Sequence, residues 1–299
     1  MPFIKYAGIA LLLSAAAQGD FSYTMTRKQS GGVSVAGRNS VTKFYIKGAK
    51  MKVDRGNRAV IVDFDAGAVT TIDEVQKTVS TRNLRDAGAS DPKVEVSAVK
   101  ETGSHKTIGG HNAVESSVTT DLDSEELRQT GASLRLEMNF WLADDVPGAA
   151  ELREFYRRHE SVFPWNVLKG DGNPAIEQAL TGIRQKIAGM TGVPVLEVVA
   201  VKPAHSGGTT PGKLELSTAE ATKMRDQVAE LDAIIQKGGP EAASAARSLA
   251  LLNAVLEPRR NPDASGALFE ITFESADFSD ASIPDSVFAP IPQHSQGKD

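Results

Sequence analysis

The chain of 299 residues contains no cysteine. That absence excludes disulfides, thiolate metal ligands, thiol nucleophiles and an acylated lipobox cysteine. A surplus of positive charge is also missing: 33 Lys and Arg stand against 38 Asp and Glu, a formal charge of −5. This balance argues against nucleic acid as a partner and against docking on an anionic membrane by charge alone. Aromatic residues make up only 6% of the chain. Histidines are few, and His105, His111, His159, His205 and His294 show neither H-x-x-x-H nor H-E-x-x-H spacing, so no metal site is expected. No G-x-S-x-G or S-x-x-K stands in a setting that suits a nucleophile. The sequence therefore assigns no catalytic residue, no cofactor and no metal.

Apolar residues at 40% and charged residues at 24% fit a globular protein. The N-terminus has three parts. Lys5 supplies a positive start, Tyr6–Ala17 (YAGIALLLSAAA) is an apolar run, and Ala15 and Ala17 satisfy an A-x-A cleavage pattern. Residues 1–19 read as a secretory signal peptide. The run is shorter than the roughly 20 residues that span a bilayer, so no integral membrane segment is expected after cleavage. Without Lys5 the balance is 32 basic against 38 acidic residues. An exported chain without cysteine fits a periplasm, or secretion from a bacterial envelope, because its stability rests on core size alone.

From residue 21 the dominant pattern is alternation. Phe21, Tyr23 and Met25 share one face, then Phe44 and Ile46, then Met51 and Val53. Strands are expected over 21–29, 42–46, 50–54, 59–64, 68–73 and 76–80, with turn signals every ten or so residues, as in a β-meander. Residues 82–92 read as a loop, and 93–100, 106–108 and 112–120 as strands, with Gly109-Gly110 as a hairpin connection. Ser133–Leu142 (SLRLEMNFWL) places Leu134, Leu136, Met138, Phe140 and Leu142 on one side. Burying those five contributes on the order of 10 kcal/mol before chain entropy.

Helical spacing follows. Ala149–His159 carries Leu152, Phe155 and Tyr156 on one face. Asn173 and Pro174 open a helix over 175–190 with Ile176, Leu180, Ile183 and Ile187 as its stripe. Val193–Lys202 reads as a buried strand. Residues 217–220 fit the capping box S-x-x-E, and 219–237 and 241–256 read as a helical hairpin insertion at about 214–258. A strand over 268–275 and an extended Pro-rich segment over 283–292 complete a single domain (20–292). Residues 293–299 read as a disordered tail.

The order of these parts, with F-x-Y-x-M opening the meander, Lys43–Asp63 (KFYIKGAKMKVDRGNRAVIVD) within it, and Pro284, Phe288 and Pro290 near the end, resembles the exported lipoprotein-carrier superfamily (LolA/LolB-like). Within it, the resemblance is to bacterial relatives of no assigned function. It implies an α+β fold: a curved antiparallel sheet, an unclosed half-barrel, whose concave face is covered by helices around an apolar cavity. Leu136, Met138, Phe140, Phe155 and Ile183 are the cavity candidates. Independently of the family, alternating strands with one apolar face must be covered by amphipathic helices.

Other features have plainer readings. Gly170-Asp-Gly172-x-x-Ala175 lacks the parallel βαβ context of a phosphate cradle. Asp121 to Glu126 lacks the glycine and the final glutamate of a calcium loop. Asp63 with Asp65, and Asp144 with Asp145, read as turn and cap carboxylates. Glu154 with Arg157 and Arg158 reads as an intrahelical pair. Trp141 and Trp165 either pack or line a cavity. The expected function is non-enzymatic binding or carriage of a lipid, acyl chain or other apolar ligand. A structural or protein-interaction module of the envelope is the alternative. An envelope hydrolase using dispersed groups such as Asp63 or His111 is the remaining one.

Overall fold

In a computed structural model, the described residues are 19–31, 40–88, 96–122, 134–168, 174–203, 218–239, 241–242, 245–246, 248–249, 252–253, 267, 269–289 and 295–296. The expected leader therefore lies outside them, except for Gly19. So do Asn173, Ser217, most of the acidic run after Asp121 and the Gly170–Gly172 motif.

The strands are β1 (Phe21–Gly31), β2 (Ser40–Lys47), β3 (Lys50–Asp54), β4 (Arg58–Asp63), β5 (Ala68–Asp73), β6 (Thr78–Asn83), β7 (Lys100–Ile108), β8 (His111–Leu122), β9 (Leu134–Ala143), β10 (Val193–Pro203), β11 (Phe269–Ser279) and β12 (Ser295–Gln296). The helices are α1 (Leu84–Gly88), α2 (Ala149–His159), α3 (Pro174–Ile187) and α4 (Thr218–Lys237). The first eleven strands form one open antiparallel sheet in the order β6-β5-β4-β3-β2-β1-β11-β10-β9-β8-β7, and β12 adds a short parallel pairing to β6. From β1, in the middle of the sheet, the chain meanders out to β6. It then crosses to the opposite edge and meanders back from β7 to β11, beside β1. Gly109 and Gly110, at φ +58 and +90, make the tight β7–β8 turn, which pairs Ile108 with His111.

One face of this sheet carries most of the large apolar side chains. Along β9, the alternation expected from the sequence is realised: Leu134, Leu136, Met138 and Phe140 are fully buried. They pack with Val199 and Val201 of β10, with Ile271 and Phe273 of β11, and under Ile176, Leu180, Ile183 and Ile187 of α3. Met224 of α4 and Leu252 join this cluster, so both parts of the expected helical hairpin contribute to the core. A second cluster on the same face gathers Phe21, Phe44, Met51, Val53, Val60 and Val62 from β1–β4 under Leu152 and Phe155 of α2.

Several elements depart from expectation. Residues 84–88 form a short helix rather than loop, because Leu84 is an apolar anchor at the end of the second cluster. Residues 96–99 are not in a strand; β7 begins at Lys100 and continues through Gly103, at φ +75, where its register with β8 shifts. The segment after Asp280 is not simply extended. Pro284 precedes a 3-10 turn (Asp285–Phe288), and Ile283 and Phe288 are buried against Ala59, Ile61, Ile72 and Val79 on the sheet face opposite the helices. Alternate residues of β4 thus serve two cores, which explains why AVIVDF shows no clean alternation. No helix among the described residues is long and apolar enough to cross a membrane.

Candidate functional site

Between the sheet and α2 and α3 lies a cavity of about 70 Å³. Its floor is Tyr23 and Met25 of β1, Phe44 of β2 and Glu197 of β10. Its walls include Leu152 and Tyr156 of α2, Trp165, and Arg184 of α3. The aromatic walls are ordered by stacking: Tyr23 on Phe44, with ring centroids 4.5 Å apart, and Tyr156 on Trp165 at 5.6 Å. Phe163 lies 4.4 Å from Trp165 and 5.1 Å from Tyr156. Such stacked and edge-on aromatic contacts add about 0.5–1.5 kcal/mol each beyond area burial.

The unusual chemistry is ionic. Glu197 points to the helix-covered side of the sheet, in register with Phe140 of β9 and Phe273 of β11. Its residue is 5% exposed. Arg184 Nη2 stands 3.5 Å from Glu197 Oε2. At that distance they are an ion pair rather than a hydrogen bond, and neither atom has a hydrogen-bond partner in the structure. Arg184 Nη1 also reaches the Leu168 carbonyl at 3.4 Å. Two turns earlier on α3, Glu177 pairs with Arg27 of β1 at 3.7 Å. The Arg184 guanidinium lies 4.9 Å from the centre of the Phe273 ring and that of Arg27 lies 5.9 Å from it, within range of cation–π attraction.

Burial governs the electrostatics. Desolvation pushes the Glu197 carboxyl up from its usual range, against the opposing pull of Arg184. Desolvation likewise raises Tyr156 to about 12 and Tyr23 well above its ordinary value. Both phenols stay neutral. Replacing such a pair by apolar groups is often neutral or stabilising, so stability alone gives little reason to keep it.

The five residues singled out from the sequence are all buried: Leu136, Met138, Phe140 and Ile183 in the cluster under α3, and Phe155 in that under α2. None lines the cavity. Central positions under a helix are filled to close packing, whereas the cavity is lined by residues of both α2 and α3 together with the sheet. Trp165 lines it; Trp141 alternates with the buried positions of β9 and does not. Glu197 and Arg27 have a readable signal in the sequence. Both are charged residues at positions of inward parity, and α3 brings complementary charges seven residues apart beside its apolar stripe.

The hydrolase candidates serve as clasps. Asp63 Oδ1 accepts the Ala66 N–H at 2.9 Å, and the Asp63 carboxylate pairs with Lys50 at 3.3 Å. His111 Nδ1 lies 3.2 Å from Asp145 Oδ1, while Asp145 Oδ2 accepts the Asn112 N–H at 3.0 Å. That backbone hydrogen bond, with help from His111, holds the Asp145 carboxyl below its usual range. Glu154 binds Arg157 through two contacts of 2.7 Å and Arg158 at 3.4 Å, as expected, which lowers its carboxyl to about 2. No group of three or more metal-ligating side chains occurs among the described residues. A broader, shallower depression of about 640 Å³ runs from Asp65 and Gly67 to Ser161–Phe163, but no buried charged side chain lines it.

No protein-family model and no curated protein matches the chain. Among solved structures, one of PNGF-II in space group C2 aligns with 62% of this chain and 28% of its own length, at 12% identity and a TM-score of 0.26. A similarity of that size carries no argument about this chain.

Proposed function

We propose that this is an exported, non-enzymatic binding or carrier protein for an apolar ligand, such as a lipid or acyl chain, of the bacterial envelope. On this reading the sheet is an unclosed half-barrel of the lipoprotein-carrier type, curved around its helices, and the mature chain works in the periplasm or outside the cell. The three-part leader and the order of elements support the compartment and the kinship. The cavity walled by Tyr23, Phe44, Leu152, Tyr156 and Trp165 is the observation that carries the binding role, because convergent apolar walls with a few buried polar groups are the usual form of a ligand site.

The cavity is far smaller than the roughly 300–1,000 Å³ of a site for a drug-sized molecule. A chain therefore enters by displacing a wall. The walls available to move are α2, through Leu152 and Tyr156, and α3, through Arg184 and Ile187. Titration of the mature protein with a fluorescent fatty acid, together with mass spectrometry of lipid extracted from protein purified from its own envelope, tests the reading. Saturable binding at one site with co-purifying lipid is the expected result; neither saturation nor lipid would reject it.

A second reading, an envelope interaction module, draws on α4. Along Thr218–Lys237, Met224 is the one buried residue among those whose burial is described, and Ile234 and Ile235 are half-exposed. A stoichiometric protein recovered on envelope pull-down, without lipid, would favour it over the first.

A further inference from the structure

We infer that the occupant of the cavity carries a neutral head group that accepts a hydrogen bond from Arg184 and donates one to Glu197, as a primary amide or an alcohol does. This rests on the binding reading above and specifies the chemistry of the same site.

Three polar atoms on the cavity's lining residues are buried without hydrogen-bond partners: Arg184 Nη2, Glu197 Oε2 and Trp165 Nε1. A guanidinium and an indole only donate, and an ionised carboxylate only accepts. The complementary head therefore accepts up to two hydrogen bonds and donates one. Each unpartnered atom is destabilising while it stays so, and a matching head removes that penalty.

The separation suits such a head. Arg184 Nη2 and Glu197 Oε2 are 3.5 Å apart. One hydroxyl oxygen can sit about 2.8 Å from both. Alternatively, the oxygen and nitrogen of a planar amide face one each. An ester or a tertiary amide accepts but cannot donate, so it leaves the carboxylate of Glu197 unsatisfied.

Charge excludes the free acid. Arg184 and Glu197 together are neutral, and a carboxylate added between buried groups leaves one uncompensated negative charge in a site walled by aromatic rings. It enters only if Glu197 takes up a proton. The raised carboxyl of Glu197 moves in that direction, so any decanoate binding must strengthen as pH falls.

The test is competition against N-phenyl-1-naphthylamine, a neutral apolar fluorophore, on the full mature chain at pH 7. The competitors share one chain: decanamide, decan-1-ol, methyl decanoate and decanoate. The amide and the alcohol are expected to displace the probe at concentrations at least about tenfold below the ester and the acid, since a site built to bond a donor discriminates strongly against analogues that lack it. The double variant Arg184→Met with Glu197→Leu keeps the cavity apolar and should still bind the probe, with the preference reduced to less than about threefold. Saturable probe binding with all four competitors equal, or with decanoate preferred at pH 7, overturns the head-group inference and leaves chain binding standing. No saturable probe binding in the wild-type protein overturns the binding reading and this inference together.

Discussion

Arg184 on α3 and Glu197 on β10 face each other 3.5 Å apart beneath a helix, with side chains only 12% and 7% exposed. Removing one partner strands the other charge. Arg184→Met alone is expected to cost about 3–5 kcal/mol in urea unfolding, whereas the double change Arg184→Met with Glu197→Leu should recover most of that loss. A double variant no more stable than the single one would show that the pair supports the fold itself rather than a ligand.

Gly148 and Phe21 set how α2 sits on the sheet. Gly148 has φ +78, and a Cβ placed on it would overlap the Phe21 ring. Gly148→Ala therefore combines a left-handed backbone conformation with a clash against a fully buried ring, at about 1–3 kcal/mol. Adding Phe21→Leu should make the two changes less than additive. Simple additivity in thermal unfolding would disprove the contact.

His159 ties stability to pH. Its ring stacks on Phe64 at 3.9 Å and meets Phe155 edge-on at 4.9 Å, and its Nε2 has no partner. Burial is the largest cause of its lowered pKa; Arg158 adds to the lowering and Asp65 opposes it. The unfolded chain, with histidine near 6.5, then binds a proton before the folded one does. Stability should fall as pH drops from above 6.5 towards the lower folded value. His159→Phe should flatten that decline between pH 7.5 and 5.5, read as urea midpoints. An unchanged slope would remove His159 from the account.

Phe288 anchors the C-terminal segment on the outer face of β4–β6. Lys47 contacts both the Ile283 carbonyl and Asp285, and Asp20 accepts the Ile283 N–H. Phe288→Ala should cost about 3–5 kcal/mol if the segment is integral to the fold. Lys47→Ala should cost much less, because its partner Asp285 is exposed. Hydrogen exchange along β5 and β6 should rise in the Phe288 variant; unchanged exchange there would detach the segment from the core.

Period-two alternation made most of the sheet legible. Leu134 to Leu142 and the run from Phe21 to Met25 identify their buried faces without coordinates, as Ile176 to Ile187 do for α3. Pairing order was not legible, because placing β11 beside β1 depends on contacts some 240 residues apart. The lining of the cavity was not legible for a related reason. Apolar residues at regular spacing mark where packing is closest, and the five singled out pack in the core beside the cavity rather than along its wall. Of its polar groups, Glu197 stood in the sequence as an interruption of an apolar run. Glu197 within VPVLEVVAVK was readable as a charged residue at an inward position, but its partner on α3 was not.

The chain has only two tryptophans, and Trp165 lines the cavity while Trp141 does not. The most direct measurement is fluorescence quenching by a fatty amide brominated along its chain, comparing Trp141→Phe with Trp165→Phe. Binding between sheet and α2 predicts saturable quenching in Trp141→Phe, which retains Trp165, and little in Trp165→Phe. Equal quenching in both variants, or none in Trp141→Phe, would contradict a ligand in this cavity.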